Sequence, residues 1–206
     1  MVQVPRYEIL ENGLGFKGVW RQNFFKNNNP LVLELGCGKG EYTIGLAEMF
    51  PEKNFIGIDI KGARMWRGAK TATNNKMKNV GFLRTQIELL QSCFASEEVN
   101  EIWITFPDPQ IKYRRRRKRL TAPDMLNIYA GVTAKNALLH LKTDSQFLHG
   151  YTLGVLEGNN HKVIEALYDI DKQNPHNQIL QIKTNYENIF RQMGLPITYV
   201  KFRLNM

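Results

Sequence analysis

The chain has only two cysteines in 206 residues, Cys37 and Cys93, without the C-x-x-C spacing of a zinc knuckle and too few for a disulfide framework. Long apolar runs are missing too. The longest span about half a dozen residues, against the ~18 needed to cross a bilayer, and Met1 to Leu10 carries no apolar core of a secretory signal. The four histidines, His140, His149, His161 and His176, lack the H-E-x-x-H spacing that sets two imidazoles on one helical face, so no metal is expected. There is no internal repeat and no Pro/Ser-rich linker. A composition of 43% hydrophobic and 23% charged residues excludes a disordered tail or a fibre. These absences leave a soluble, cytoplasmic protein with no membrane partner. It reads as one domain over residues 1–206, with 1–30 as a segment preceding the first sheet strand.

What is present begins with charge. Lys plus Arg is 28 and Asp plus Glu is 19, a net +9. Seven of the cations fall between Lys112 and Arg119; taking those from 28 leaves 21 cations against 19 anions. The excess is therefore a local footprint, and it points to a polyanionic partner.

Short apolar blocks alternate with helical patterns. Leu31–Leu33, Phe55–Ile58, Gly81–Thr85, Glu101–Phe106, Ala137–Thr143 and Ile197–Leu204 read as strands. Ala63 to about Met77 is helical in composition. Met125, Ile128, Tyr129 and Val132 keep the spacing of one helix face, with Thr121 and Asp124 as a capping box and Pro123 in the first turn. Phe147, Leu148, Tyr151 and Val155 mark another helix, with Asp144 as its N-cap. Such alternation predicts βαβ units, hence a mostly parallel sheet with helices on both faces.

Glu34-Leu35-Gly36-Cys37-Gly38-Lys39-Gly40 follows the first of these strands and opens a helix. Three alternate glycines exceed what a simple tight turn needs. A dinucleotide fingerprint would place its third glycine at 41, where Glu41 stands, and a carboxylate there would repel a pyrophosphate at the helix start. The loop with its preceding acid resembles the first motif of class I S-adenosylmethionine methyltransferases, whose cofactor brings an ammonium and a sulfonium and no phosphate. Asp59, at the end of the next strand, suits the two ribose hydroxyls of such a cofactor; the plainer reading is a helix cap.

Asp108, in Thr105-Phe106-Pro107-Asp108-Pro109-Gln110, should face the cofactor's reactive end, because ligands of open α/β sheets lie outside the C-terminal strand ends. Turn chemistry is its plainer role. The following basic run reads either as a solvated face or as a nucleic-acid contact, and like charges in such number favour the contact. Thr184-Asn185-Tyr186-Glu187 has the pattern of a capping box ahead of a helix whose apolar side carries Ile189, Phe190 and Met193.

Together E-L-G-C-G-K-G, the segment from Phe106 to Leu120, His140-Leu141-Lys142-Thr143-Asp144 and T-x-Y-E resemble the bacterial tRNA (guanine-N7-)-methyltransferase family, from about Leu31 to Gly194. The resemblance implies a Rossmann-like class I methyltransferase fold and transfer of a methyl group from S-adenosyl-L-methionine to N7 of a guanosine in the variable loop of tRNA. Glu34, Gly36, Gly38, Gly40, Asp59, Gln86 and Asp108 would line the cofactor site, Asp108 also acting in catalysis. Lys112, Arg114, Arg115, Asp144, Thr184, Asn185, Tyr186 and Glu187 would bind tRNA. Gln86 replaces the family's usual Asp near the adenine, and Gln110-Ile111 its usual Trp-Pro. Another RNA methyltransferase, a nicotinamide-dependent oxidoreductase and a non-catalytic RNA-binding module are the rival readings. A monomer and a homodimer fit the sequence equally.

Overall fold

Valine, isoleucine and phenylalanine in short blocks build the sheet, because branched and aromatic side chains pack well on a pleated surface. A computed structural model describes residues 2–3 and 15–205. Its strands are β1 (Val2–Gln3), β2 (Leu31–Leu35), β3 (Asn54–Asp59), β4 (Val80–Arg84), β5 (Val99–Thr105), β6 (Thr133–Thr143), β7 (Lys162–Leu167) and β8 (Thr198–Arg203). The helices are α1 (Glu41–Met49), α2 (Gly62–Asn74), α3 (Leu90–Cys93), α4 (Pro123–Ala130), α5 (Gln146–Gly158), α6 (Ile170–Gln173) and α7 (Asn185–Gln192). The sheet order is β1-β4-β3-β2-β5-β6-β8-β7, parallel except for β8, which runs antiparallel to both β6 and β7.

Every residue of β2 is buried, as a central strand covered on both faces requires. Glu34 pairs across to Gly57 on one side and Trp103 on the other. Between β2 and β5 the strand order reverses, and at such a switch point the loops after neighbouring strands part and leave a crevice. The glycine loop after β2 and the Asp108 segment after β5 flank it.

Three local expectations are corrected, and one unmarked strand is added. Residues 1–30 do not all precede the sheet: Val2–Gln3 pairs with β4. Thr121 caps nothing; its hydroxyl meets that of Thr152 at 2.7 Å, and Ala122 stands at the N-cap of α4 with Pro123 behind it. Ser145, and not Asp144, caps α5, accepting from Leu148 N at 3.2 Å. That leaves Asp144 free of helix duty. Finally, β7 is a strand that the apolar pattern did not mark, because Val163 and Ile164 sit exposed at the sheet edge beside Lys162 and Glu165.

Ahead of β2, Trp20 is buried, stacked on Phe16 and Phe94, with its indole N–H on Cys93 O at 2.8 Å. Glu98 accepts from the backbone of Gly18, Trp20 and Ala95, so this aromatic segment closes one end of the core.

Candidate active site

The crevice at the switch point has a volume of about 540 Å³. Glu34, Gly36, Gly38 and Asp59 line one part of it; Asp108, Asp144, Thr184, Asn185 and Tyr186 line another. Side chains from both ends of the sequence thus share one cavity.

The glycine loop is held by its neighbours. Gly36, Gly38 and Gly40 all have positive φ. A Cβ on Gly36 or Gly38 would meet nothing within 4 Å, so there the backbone presents open space that a ligand can enter. Gly40 serves packing instead. A Cβ there would fall 2.5 Å from the Phe82 ring, so this residue seats the loop on the sheet and does not line the cavity. Asp59 ties the loop down, accepting from Gly38 N at 3.0 Å and from Lys61 N at 2.8 Å. The Lys61 bond is a turn of the capping kind; the Gly38 bond holds the carboxylate at the cavity wall, where its remaining lone pairs are free to accept hydroxyls.

Glu34 is buried and accepts from Thr43 N at 2.7 Å, from the Thr43 hydroxyl, and from the Thr105 hydroxyl at 2.6 Å. Burial pushes its carboxyl up to about 7, against the pull of these donors, and the negative charge of Asp59 adds to the rise. Neither threonine stands out in the sequence; only the register that sets β2 beside β5 brings Thr105 to Glu34.

Between Phe106 (φ 48°) and Gln110 (φ 47°), two non-glycine residues in the left-handed region, the chain turns sharply around Asp108. Such conformations cost about 1–3 kcal/mol each and persist where surroundings impose them. Asp108 is exposed at the cavity wall, and one of its oxygens accepts from Gln110 N at 2.9 Å, so its turn role is real and leaves the second oxygen for a ligand. Asp144 is half-buried at the cavity wall, and burial raises its carboxyl.

The basic segment forms a short 3-10 turn, Tyr113–Lys118, with Lys112, Arg114 and Arg115 exposed and outside the cavity, while Lys118 lines it. Arg119 departs from the others. It is buried, donates to Gln110 O at 3.1 Å, and lies over the rings of Tyr151 and Phe147 at 4.3 and 4.7 Å. It anchors the run and is not one of its free charges.

In T-x-Y-E, Thr184 caps α7, accepting from Glu187 N at 3.1 Å. The reciprocal half of the box does not form, because Glu187 turns inward. It is fully buried, 2.7 Å from Lys142 Nζ and 2.9 Å from Arg191. A direct tRNA contact by Glu187 is thereby excluded; Asn185 and Tyr186 are the exposed members. Lys142, itself fully buried, also donates to Leu180 O and Ile182 O, and burial pushes its ammonium down to about 8 against the pull of Glu187. Gln86, half-buried, follows β4 and begins the turn Ile87–Leu89.

Two carboxylates at the glycine loop, an open backbone cradle and a cavity at the β2/β5 switch point suit a cofactor with an ammonium and a ribose. Fold and site define a class I methyltransferase. A family model described as "Putative methyltransferase" matches residues 28–200. Proteins named tRNA (guanine-N(7)-)-methyltransferase from Christiangramia forsetii and Porphyromonas gingivalis are 55% and 52% identical, over 99% and 94% of this chain and 92% and 79% of theirs. One from Pediococcus pentosaceus is 33% identical over 98% of this chain and 93% of its own. Among solved structures, 16S rRNA methyltransferase KamB shares the fold with a TM-score of 0.69 at 14% identity, covering 90% of this chain and 92% of that one. A SAM-dependent methyltransferase from Aquifex aeolicus does so at 0.59 and 14%, covering 98% and 94%. The chain belongs to the tRNA (guanine-N(7)-)-methyltransferase family. No helix among the described residues is long and apolar enough to cross a membrane.

Proposed function

We propose that this enzyme transfers the methyl group of S-adenosyl-L-methionine to N7 of a guanosine in the variable loop of tRNA, in the cytoplasm. The observation that carries the reading is convergence: Asp108, Asp144, Asn185 and Tyr186 share one cavity with Glu34 and Asp59, and Lys118, at the end of the exposed basic run, lines it too. Glu34 and Asp59 hold the methionine and ribose ends of the cofactor, which supplies a methyl group on a sulfonium. Guanine N7 has an in-plane lone pair and no proton, so no general base is required, and positioning with electrostatics accounts for catalysis. Asp108 orients the purine and stabilises the positive charge it gains. Lys112, Arg114 and Arg115 neutralise phosphates, while Asp144, Thr184, Asn185 and Tyr186 hold the nucleoside at the rim.

The test is methylation of tRNA from a strain lacking N7-methylguanosine, followed by reduction and aniline cleavage. Cleavage at one position in the variable loop is the expected outcome. Cleavage elsewhere, or methylation without aniline-sensitive sites, overturns the reading.

A further inference from the structure

Outside residues 112–119 the cations and anions nearly balance in number, but the fold does not spread them evenly. Helix α2 contains Arg64, Arg67 and Lys70, begins after Lys61, and has no acidic residue from Gly62 to Asn74. At 3.6 residues per turn, Trp66, Lys70, Arg67 and Arg64 fall in that order on one continuous arc of roughly 160°. Met65, Gly68 and Ala72 take the opposite, buried side. All four arc residues are exposed, and the three cations make no ion pair among the described residues.

The position of this arc matters as much as its charge. Lys61 and Arg64 line the same cavity as Lys118, so the arc starts at the rim of the active site and runs outward from it. Trp66 is 58% exposed, unusual for an indole, with Lys70 Nζ 4.9 Å from the ring. A cationic face with an open aromatic is the combination that tracks a nucleic-acid backbone and stacks a base.

We infer that α2 is a second RNA-binding surface, on which Arg64, Arg67 and Lys70 neutralise phosphates of the tRNA and Trp66 stacks on one of its unpaired bases. This rests on the tRNA reading above and extends it: the substrate is gripped at two separate basic segments of the chain. A membrane surface would also attract the cations, but it offers the indole no base to stack on.

The test uses residues of the arc that do not line the cavity. Arg67→Ser with Lys70→Ser should lower the slope of log tRNA affinity against log salt by about 1.5, each lost phosphate contact removing roughly 0.7–0.9. Cofactor affinity stays constant. Trp66→Ala should weaken tRNA binding about fivefold to a hundredfold, and Trp66→Phe should restore most of it. Fluorescence gives an independent readout. Trp20 and Trp103 are buried at 1% and 2% exposure, so quenching of intrinsic emission by tRNA reports Trp66 and should vanish in Trp66→Phe. If the wild type methylates tRNA while the double variant keeps its affinity and slope, the α2 surface falls and the parent reading stands. If tRNA does not quench the wild type, or Trp66→Phe loses as much affinity as Trp66→Ala, stacking is overturned. A wild type that neither binds nor methylates tRNA, or a double variant that loses only binding to anionic vesicles, overturns the inference as well.

Discussion

The carboxylate of Glu41 accepts the backbone N–H of Asn185 at 2.6 Å, joining the first residue of α1 to the first residue of α7. The glycine loop that would hold the cofactor is therefore tied directly to the segment that would hold the nucleoside. In the sequence Glu41 signifies only a charge incompatible with a pyrophosphate; in the fold it fixes α7. Glu41→Ala should raise KM for tRNA several-fold, with a smaller change for the cofactor, and Glu41→Gln, which keeps an acceptor, should recover most of the loss. Steady-state kinetics with each substrate varied in turn decides this. An equal rise in both KM values would mean that the bond does not act on α7.

Glu34 predicts a pH dependence with a definite sign. Its carboxyl rises from 4.5 to about 7 on folding, so the folded protein holds a proton that the unfolded chain has lost. Without cofactor, stability should fall as pH rises from about 4.5 to about 7, by about 1.4 kcal/mol per pH unit at most. A cationic ligand beside Glu34 favours the ionised form, so cofactor affinity should rise over the upper part of that range. Glu34→Gln should flatten the stability profile while weakening cofactor binding. Thermal melts across pH and calorimetry check the two halves separately, and a mutant with unchanged cofactor affinity removes Glu34 from the site.

The basic segment should divide into two kinds of arginine. Replacing Arg114, Arg115, Arg116 and Arg117 by Ser should reduce the salt slope of tRNA binding by about two, since not all four can face phosphates at once. Arg119→Ala should leave that slope unchanged. It removes hydrogen bonds to Gln110 O and the packing over two rings, so it should lower the melting temperature and kcat through the Asp108 turn. A salt series beside thermal melts separates the two.

Lys142 and Glu187 form a buried ion pair, and such pairs are costly to break from one side. Lys142→Met should destabilise the fold by about 3 kcal/mol, because the buried Glu187 carboxylate keeps only Arg191 to balance its charge. Adding Glu187→Leu should return much of that stability without restoring methylation, since α7 would lose its bond to residue 142 on β6 and Arg191 its partner within the helix. Chemical denaturation and activity measured on the same samples give the answer. If the double variant is fully active, the pair supports stability alone.

Asp108→Asn keeps the turn bond to Gln110 N and removes the charge. Turnover should fall more than either binding constant. Unaltered kcat with weaker cofactor binding would make Asp108 a binding residue only.

Most of the parallel sheet, the glycine loop, Asp59 at a strand end and Thr184 at a helix start are properties of the sequence itself. They rest on periodicity and turn chemistry, which act over a few residues and leave a pattern in the chain. The antiparallel β8, the exposed edge strand β7 and the burial of Trp20 depend on partners far away in sequence, and no local pattern records them. The same holds for charge. Lys142, Glu187 and Arg119 look like any other ionic residues until the fold removes them from water, and Arg64, Trp66, Arg67 and Lys70 become one surface only when α2 coils and packs its other side. A sequence specifies which groups can ionise or accept a hydrogen bond. Which of them are buried, paired or left facing a ligand is set by tertiary packing, because desolvation and hydrogen-bond geometry depend on neighbours that only the folded chain supplies.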